Sequence, residues 1–248
     1  MSLTIEVVCY NITSVLNAIE GGASRIELCD SPGDGGTTPS AGMILTAKEK
    51  ARIPVFVMIR PRGGDFLYSD EEFEVMKKDI ESAKKLGADG LVFGILKANG
   101  EIDTERNREL VQLARPLKVT CHRAFDMTND PHEALEACIE AGFDRILTSG
   151  QQANVYDGRL LLAELVKKAG DRIIIMPGAG VSEENVADLV KTTGAKEIHI
   201  SGRSFVDSPM AYRNPAVSMG DDPREYQKLV VSVARVKKIR FLAEGVKK

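Results

Sequence analysis

The chain has 248 residues, 43% of them hydrophobic, enough to bury the core of one large α/β domain. Its formal net charge of −3 leaves no excess of Lys and Arg to release counterions, so neither nucleic acid nor anionic membrane is expected as a partner. No run is apolar enough to span a bilayer, the opening residues lead to Glu6 without a secretory signal, and four cysteines without CxxC spacing suit reduced thiols in a cytoplasmic setting.

The first predicted strand is IEVVCY at 5–10, and an amphipathic helix follows over 12–20. At 21–28, GGASRIEL ends that helix on Gly and starts a short β-branched run, too short for a helix but right for a buried parallel strand. The same phrase returns as LGADGLVF at 86–93, AGFDRILT at 141–148, AGDRIIIM at 169–176 and TGAKEIHI at 193–200. Two more strands, IPVFVMIR at 53–60 and LKVTCHRAF at 117–125, begin near Pro, which cannot continue a helix. Helical patterns at 41–51, 70–86, 103–115, 131–141, 158–169 and 183–193 fill the intervals. Residues 203–224 read as a long loop and 225–246 as a closing helix. Eight alternating units without a break predict parallel strands with crossover helices. The fold class is therefore α/β, a single (β/α)8 TIM barrel spanning 1–248. The runner-up, an open doubly wound sheet, lacks its GxGxxG signature after the first strand.

In such a barrel the outer strand face packs on helices and stays apolar, so polar strand residues point into the lumen or its mouth. Parity then sends Glu6, Glu27, Arg60, Thr120, His122, His199 and Ser201 inward, together with Phe56 and Met58. Buried charges cost several kcal/mol unless paired, so these groups satisfy either one another or a ligand. The first alternative is a network that only stabilises the lumen. The second is a site, favoured because Arg60, His122 and Ser201 fall near the carboxyl ends of strands, where this fold builds its sites.

The loops at those ends, GDGGTTPS at 33–40 and RPRGGDF at 60–66, are rich in Gly and charge, although Gly and Pro also make ordinary turns. Arg60 and Arg62 could fork onto a carboxylate or phosphate. PGAGVS at 177–182 and SGRS at 201–204 occupy the places that hold phosphate in many barrels, which predicts an anion site at Gly178, Gly180, Ser201 and Arg203, with the first loop opening a helix. If the chain is an enzyme, Glu27 or His122 moves protons, Arg60 holds the anion, and Asp65 or Asp126 orients them.

The stretches IELC at 26–29, GGTTPS at 35–40, VMIRPRGGDFLYSD at 57–70, GADGLVFGIL at 87–96, HRAFDM at 122–127 and ILTSG at 146–150 closely resemble the CutC family, and the resemblance covers nearly the whole chain. It implies a (β/α)8 barrel and a cytoplasmic role in copper homeostasis, with Cu(I) bound by two cysteines that match Cys9 and Cys29. Thiolates suit Cu(I). Parity, however, sends Cys9 outward and Cys29 inward, so a shared ion requires the strand end to bend. PGAG at 177–180 departs from the family's PGGG or AGGG, which weakens the case for close backbone approach there. Two functions therefore stand side by side: a copper-binding protein, and a barrel enzyme acting on a small anionic or phosphorylated metabolite with an indirect effect on copper. Tyr212, Met219 and Tyr226 in the tail suggest contact with another subunit, as a homodimer or homotetramer.

Overall fold

Eight short strands alternate with helices along the chain: β1 (Thr4–Cys9), β2 (Arg25–Leu28), β3 (Val55–Met58), β4 (Gly90–Phe93), β5 (Lys118–Cys121), β6 (Arg145–Thr148), β7 (Ile174–Pro177) and β8 (Glu197–Ile200). The connecting helices are α1 (Ile12–Gly21), α2 (Ala41–Lys50), α3 (Asp70–Lys85), α4 (Thr104–Ala114), α5 (Pro131–Ala141), α6 (Arg159–Ala169) and α7 (Val186–Thr193). The computed structural model describes residues 3–217, 219 and 224–246. Parallel ladders join β7 to β6 and so on down to β1, and β1 pairs with β8. β7 and β8 lie side by side and bring the ring nearly to closure without a ladder. The result is a TIM-barrel-like fold.

Local chemistry sets the helix ends. The Asn11 side chain caps α1 by accepting from the Ser14 amide at 2.8 Å, and Ser69 and Glu72 form a reciprocal capping box on α3. Gly22 ends α1 with φ +88°, where a Cβ would be strained. The main core lies between the outward strand faces and the helices and includes Ile5, Val7, Ile26, Leu28, Val57 and Leu91. A second apolar cluster of Val8, Cys29, Phe56, Met58 and Val92 sits in the lumen. Strand parity thus sorts the chain as the alternation predicts.

The tail differs from the loop expected at 203–224. β9 (Arg203–Asp207) pairs antiparallel with β10 (Gln227–Val231), and the last helix, α8 (Val233–Gly245), begins only after that hairpin. Both strands are five residues long, and 19 residues separate them, so no tight-turn signal betrays the hairpin in the sequence. Side chains of α1 stitch β10 in place: Asn11 donates to the Leu229 carbonyl and Asn17 to that of Val231, each at 2.8 Å. α8 takes the eighth helix position between α7 and α1. Tyr212 and Met219 are exposed on the segment between β9 and β10.

Candidate functional site

The amino-terminal half of the lumen is filled by an ionic layer. Glu6 and Arg25 are cross-strand neighbours on β1 and β2, and Arg25 Nε donates to Glu6. Arg25 Nη2 reaches Glu197 at 2.6 Å, while Arg145 forks onto the same carboxylate at 2.9 and 3.1 Å. Both guanidiniums also lie over the Phe56 ring, at 4.8 and 5.2 Å. The ring needs a glycine on the adjacent strand, since a Cβ at Gly90 would come within 2.5 Å of it. Two cations, two carboxylates and an aromatic spacer make a neutral plug whose charges are all answered.

Above the plug the pairing thins out. His199 Nδ1 lies 2.8 Å from Glu6 Oε1, while its Nε2 is 3.9 Å from Glu27 Oε2. The Cys29 thiol donates to Glu27 Oε2 at 3.5 Å, and Glu27 Oε1 has no partner. Burial pushes Glu27 up to about 7, against the pull of the adjacent His199. Burial pushes Glu6 in the same direction, yet Arg25 and His199 outweigh it and hold the carboxyl at about 2. For His199, burial works against the charged form, but Glu27 and Glu6 prevail and raise it. Two carboxylates flanking one imidazole are thus driven apart in basicity, which is how one site acquires a fixed anion and a titrating group.

A cavity of about 360 Å³ opens beyond Glu27 at the carboxyl ends of the strands. Glu27, Arg60, His122, Ser201, Arg203 and Gly180 all line it. Arg60 does not present its fork to this space. Its Nη1 donates to the carbonyls of Asp34 (2.6 Å) and Gly36 (2.9 Å) and its Nη2 to that of Gly64 (2.7 Å), so it clamps both glycine-rich loops. Nε has no hydrogen-bond partner among the described residues, although the buried Tyr68 hydroxyl lies near the guanidinium. His122 Nδ1 accepts from the Ala124 amide at 3.2 Å, which puts the ring proton of the neutral form on Nε2, another buried atom without a partner. Burial, followed by the nearby Arg60 charge, lowers His122 to about 3 and keeps it neutral. Phe66 lies against both groups, 4.9 Å from the Arg60 guanidinium and 4.8 Å from the imidazole.

On the β7–β8 side, Ala179 and Gly180 take φ of +73° and +84°. Among the described residues, no acceptor engages their amides. The Asn185 side chain braces this loop, accepting from Ser182 N–H and donating to the Gly180 carbonyl. α7 starts only at Val186, so the loop does not open directly into the helix as its sequence suggests, because a turn at 183–185 intervenes. Arg203 makes no ion pair among the described residues. Gly178 stands back from the cavity, and a Cβ there would strike Leu147 and crowd His199.

Other candidates lie elsewhere. Arg62 pairs with Glu72 (2.5 Å) and Asp65 (3.0 Å) on the surface, and neither Arg62 nor Asp65 lines the cavity. Asp126 accepts from Thr148, Ser149 and Gln151 and holds Arg123 at 2.7 Å, so it organises the loop after β6 and reaches the cavity only through Arg123. Cys9 packs in the helix-facing core and Cys29 in the lumen cluster, on opposite sides of the wall, although the Cys29 amide donates to the Cys9 carbonyl at 3.0 Å. Burial raises both thiols. Sequence reasoning overlooked Arg25, Arg145 and Glu197. Counting two positions back from Glu27, Leu147 and His199 would have found them.

A profile of the CutC family matches residues 3–204. A mouse protein named copper homeostasis protein cutC homolog is 49% identical over 244 residues, covering 98% of this chain and 90% of that protein. A family protein CutC from Parabacteroides distasonis is 53% identical over 221 residues, 89% of this chain and 91% of its own length. The crystal structure of a copper homeostasis protein CutC from Streptococcus agalactiae superposes with a TM-score of 0.76 at 38% identity, covering 79% of this chain and 97% of that one. With a profile over four-fifths of its length and relatives at about half identity, the chain belongs to the CutC family.

Proposed function

We propose that the chain binds a small anionic metabolite in the strand-end cavity and moves a proton on it. The observation that carries this reading is that three residues lining one cavity, Glu27, Arg60 and His122, each keep a buried polar atom without a hydrogen-bond partner among the described residues: Glu27 Oε1, Arg60 Nε and His122 Nε2. Such atoms cost about 1–3 kcal/mol each when left unmatched, so a ligand that satisfies them recovers that energy. Their chemistry is complementary. Glu27, close to 7, is a suitable proton acceptor at neutral pH, while His122 and Arg60 offer N–H donors to an oxygen on which charge develops. Arg203, Ser201 and the free amides at 179–180 supply the seat for a carboxylate or phosphate. Four buried cysteines without a disulfide support a reducing, cytoplasmic location.

The test is a thermal-shift screen of small carboxylated and phosphorylated metabolites, followed by proton-exchange NMR of any hit in D2O. A stabilising anion should lose at least tenfold in affinity with Arg203→Ala. Glu27→Gln should still bind it but stop solvent deuterium from entering the ligand. A screen without a single stabilising anion, or exchange that survives Glu27→Gln, defeats the reading.

A second reading is Cu(I) held by Cys9 and Cys29, favoured by the copper-homeostasis name of the mammalian relatives and by the backbone contact between the two cysteines. Cys9 packs in the helix-facing core and Cys29 in the lumen cluster, so an ion shared by both sulfurs requires one side chain to turn through the wall. Titrating reduced protein with Cu(I) against a chelator, beside a Cys9→Ser/Cys29→Ser variant, decides it. Equal binding by both proteins rejects the cysteine site.

A further inference from the structure

We propose that Glu27, His199 and Cys29 form a binding site for one divalent transition-metal cation of the zinc class, with Glu6 orienting the histidine and an open coordination position facing the cavity. Glu27 and Cys29 are two residues apart on the lumen side of β2 and its end, and His199 points inward from β8, with β1 and its Glu6 between them. One ligand atom from each of Glu6, Glu27 and His199 falls within 4.8 Å of the others.

The two spacings about Glu27 come close to those of a tetrahedral ion. Ligand atoms about 2.0–2.3 Å from a tetrahedral centre stand roughly 3.3–3.6 Å apart. Cys29 Sγ lies 3.5 Å from Glu27 Oε2, and His199 Nε2 lies 3.9 Å from the same oxygen. The Glu27 carboxylate stands between the other two ligands; closing the set requires the Cys29 side chain to turn toward His199, and Glu27 Oε1, buried and without a partner among the described residues, leaves the carboxylate free to follow. Glu6 is already committed to Arg25 and to His199 Nδ1, so it serves as the outer carboxylate that fixes the imidazole with Nε2 turned toward the ion. One thiolate, one imidazole and one carboxylate favour Zn2+ or Co2+ over Mg2+ or Ca2+, which prefer all-oxygen cages. Three protein ligands beside a cavity leave a fourth position for water or ligand, the arrangement of catalytic rather than structural zinc.

This inference shares Glu27 with the anion reading, whose proton transfer by that carboxylate belongs to the metal-free protein, and it is told apart from it through Cys29 and His199. The anion seat uses Arg203, Ser201 and the loop at 179–180, none of which is a proposed metal ligand. Cys9, on the far side of the wall, takes no part.

The experiment uses the full chain, reduced and stripped of metal, titrated with Co2+ and then displaced by Zn2+. One equivalent of Co2+ is expected, with the intense visible absorption of four-coordination and a thiolate-to-cobalt band in the near ultraviolet. Cys29→Ser should abolish that band, His199→Gln should weaken Co2+ binding at least tenfold, and Cys9→Ser should leave both unchanged. X-ray absorption of the Zn2+-loaded wild type needs no variant to fold; one sulfur with two or more nitrogen or oxygen neighbours is expected. No stoichiometric binding, a band lost in Cys9→Ser, or a zinc shell without sulfur overturns the site.

Discussion

The two ends of the lumen bury their charges equally well and use them differently. Arg25 below and Arg60 above are 6% and 5% exposed, so burial does not distinguish them. Pairing does. Arg25 shares Glu6 and Glu197 in a layer where every charge has an opposite, whereas Arg60 spends its fork on loop carbonyls and, like Glu27 and His122, keeps one polar atom without a partner among the described residues. An uncompensated polar group in a low-dielectric interior is costly, so the lower ring is architecture and the upper ring is a seat for something else.

The strongest way to break this contrast is to remove one charge from each ring. Glu197→Gln strips the carboxylate shared by Arg25 and Arg145 and leaves two buried guanidiniums short of charge. It should cost about 3–5 kcal/mol in urea unfolding. Glu27→Gln, in metal-free buffer at pH 8, should cost nothing or stabilise, because the folded protein disfavours the ionised carboxyl. Equal losses in the two variants would erase the distinction between plug and pocket.

Much of this was legible in the sequence, and the failures have physical causes. Parity placed Glu6, Glu27, His122 and His199 in the lumen because the outer wall must be apolar, and the structure agrees at each. Arg25 and Glu197 escaped because they stand at strand starts beside the glycine that ends a helix, where a charge reads as a solvent-facing stop. Arg60 was legible as a buried cation, but not its partners, since Asp34, Gly36 and Gly64 offer backbone carbonyls that no side-chain pattern announces. The β9–β10 hairpin was hidden by the length of its connection.

The pocket should also reveal itself in how stability depends on pH, through two groups with opposite signs. Glu27 is raised from 4.5 to about 7, so the folded state holds its proton longer than the unfolded state and stability falls as pH rises across that window. His122 is lowered from 6.5 to about 3, so the unfolded chain takes up a proton first and stability falls as pH drops from 6.5 toward 3. Between about pH 4.5 and 6.5 the two slopes oppose each other, and wild type should be nearly flat in these contributions. Glu27→Gln should unmask the acid-side loss, and the variant's stability relative to wild type should improve by roughly 3 kcal/mol between pH 4.5 and 7. His122→Gln should unmask the opposite slope. Urea midpoints at half-unit pH steps measure both, and parallel curves for the three proteins would show that neither group is perturbed by the pocket.

The smallest expected effect separates two arginines only two residues apart. Arg62 lies at the surface, its side chain 37% exposed; its pairs with Asp65 and Glu72 and its bonds to the carbonyls of Gly63 and Leu67 are screened by water, and it lies over the Tyr68 ring. Arg62→Ala should therefore shift unfolding by no more than about 0.5–1 kcal/mol and leave anion affinity unchanged. Arg60→Ala removes three backbone clamps at once and should cost about 2–3 kcal/mol, loosening both glycine-rich loops together. Comparable losses at the two positions would mean that the bonds each arginine makes to loop carbonyls, rather than burial, set its worth. A large loss of ligand affinity in Arg62→Ala with stability intact would place the anion on the rim rather than in the lumen. The two arginines of one short motif thus test, more finely than either ring alone, whether burial against a cavity or position in the sequence decides what a charge is for.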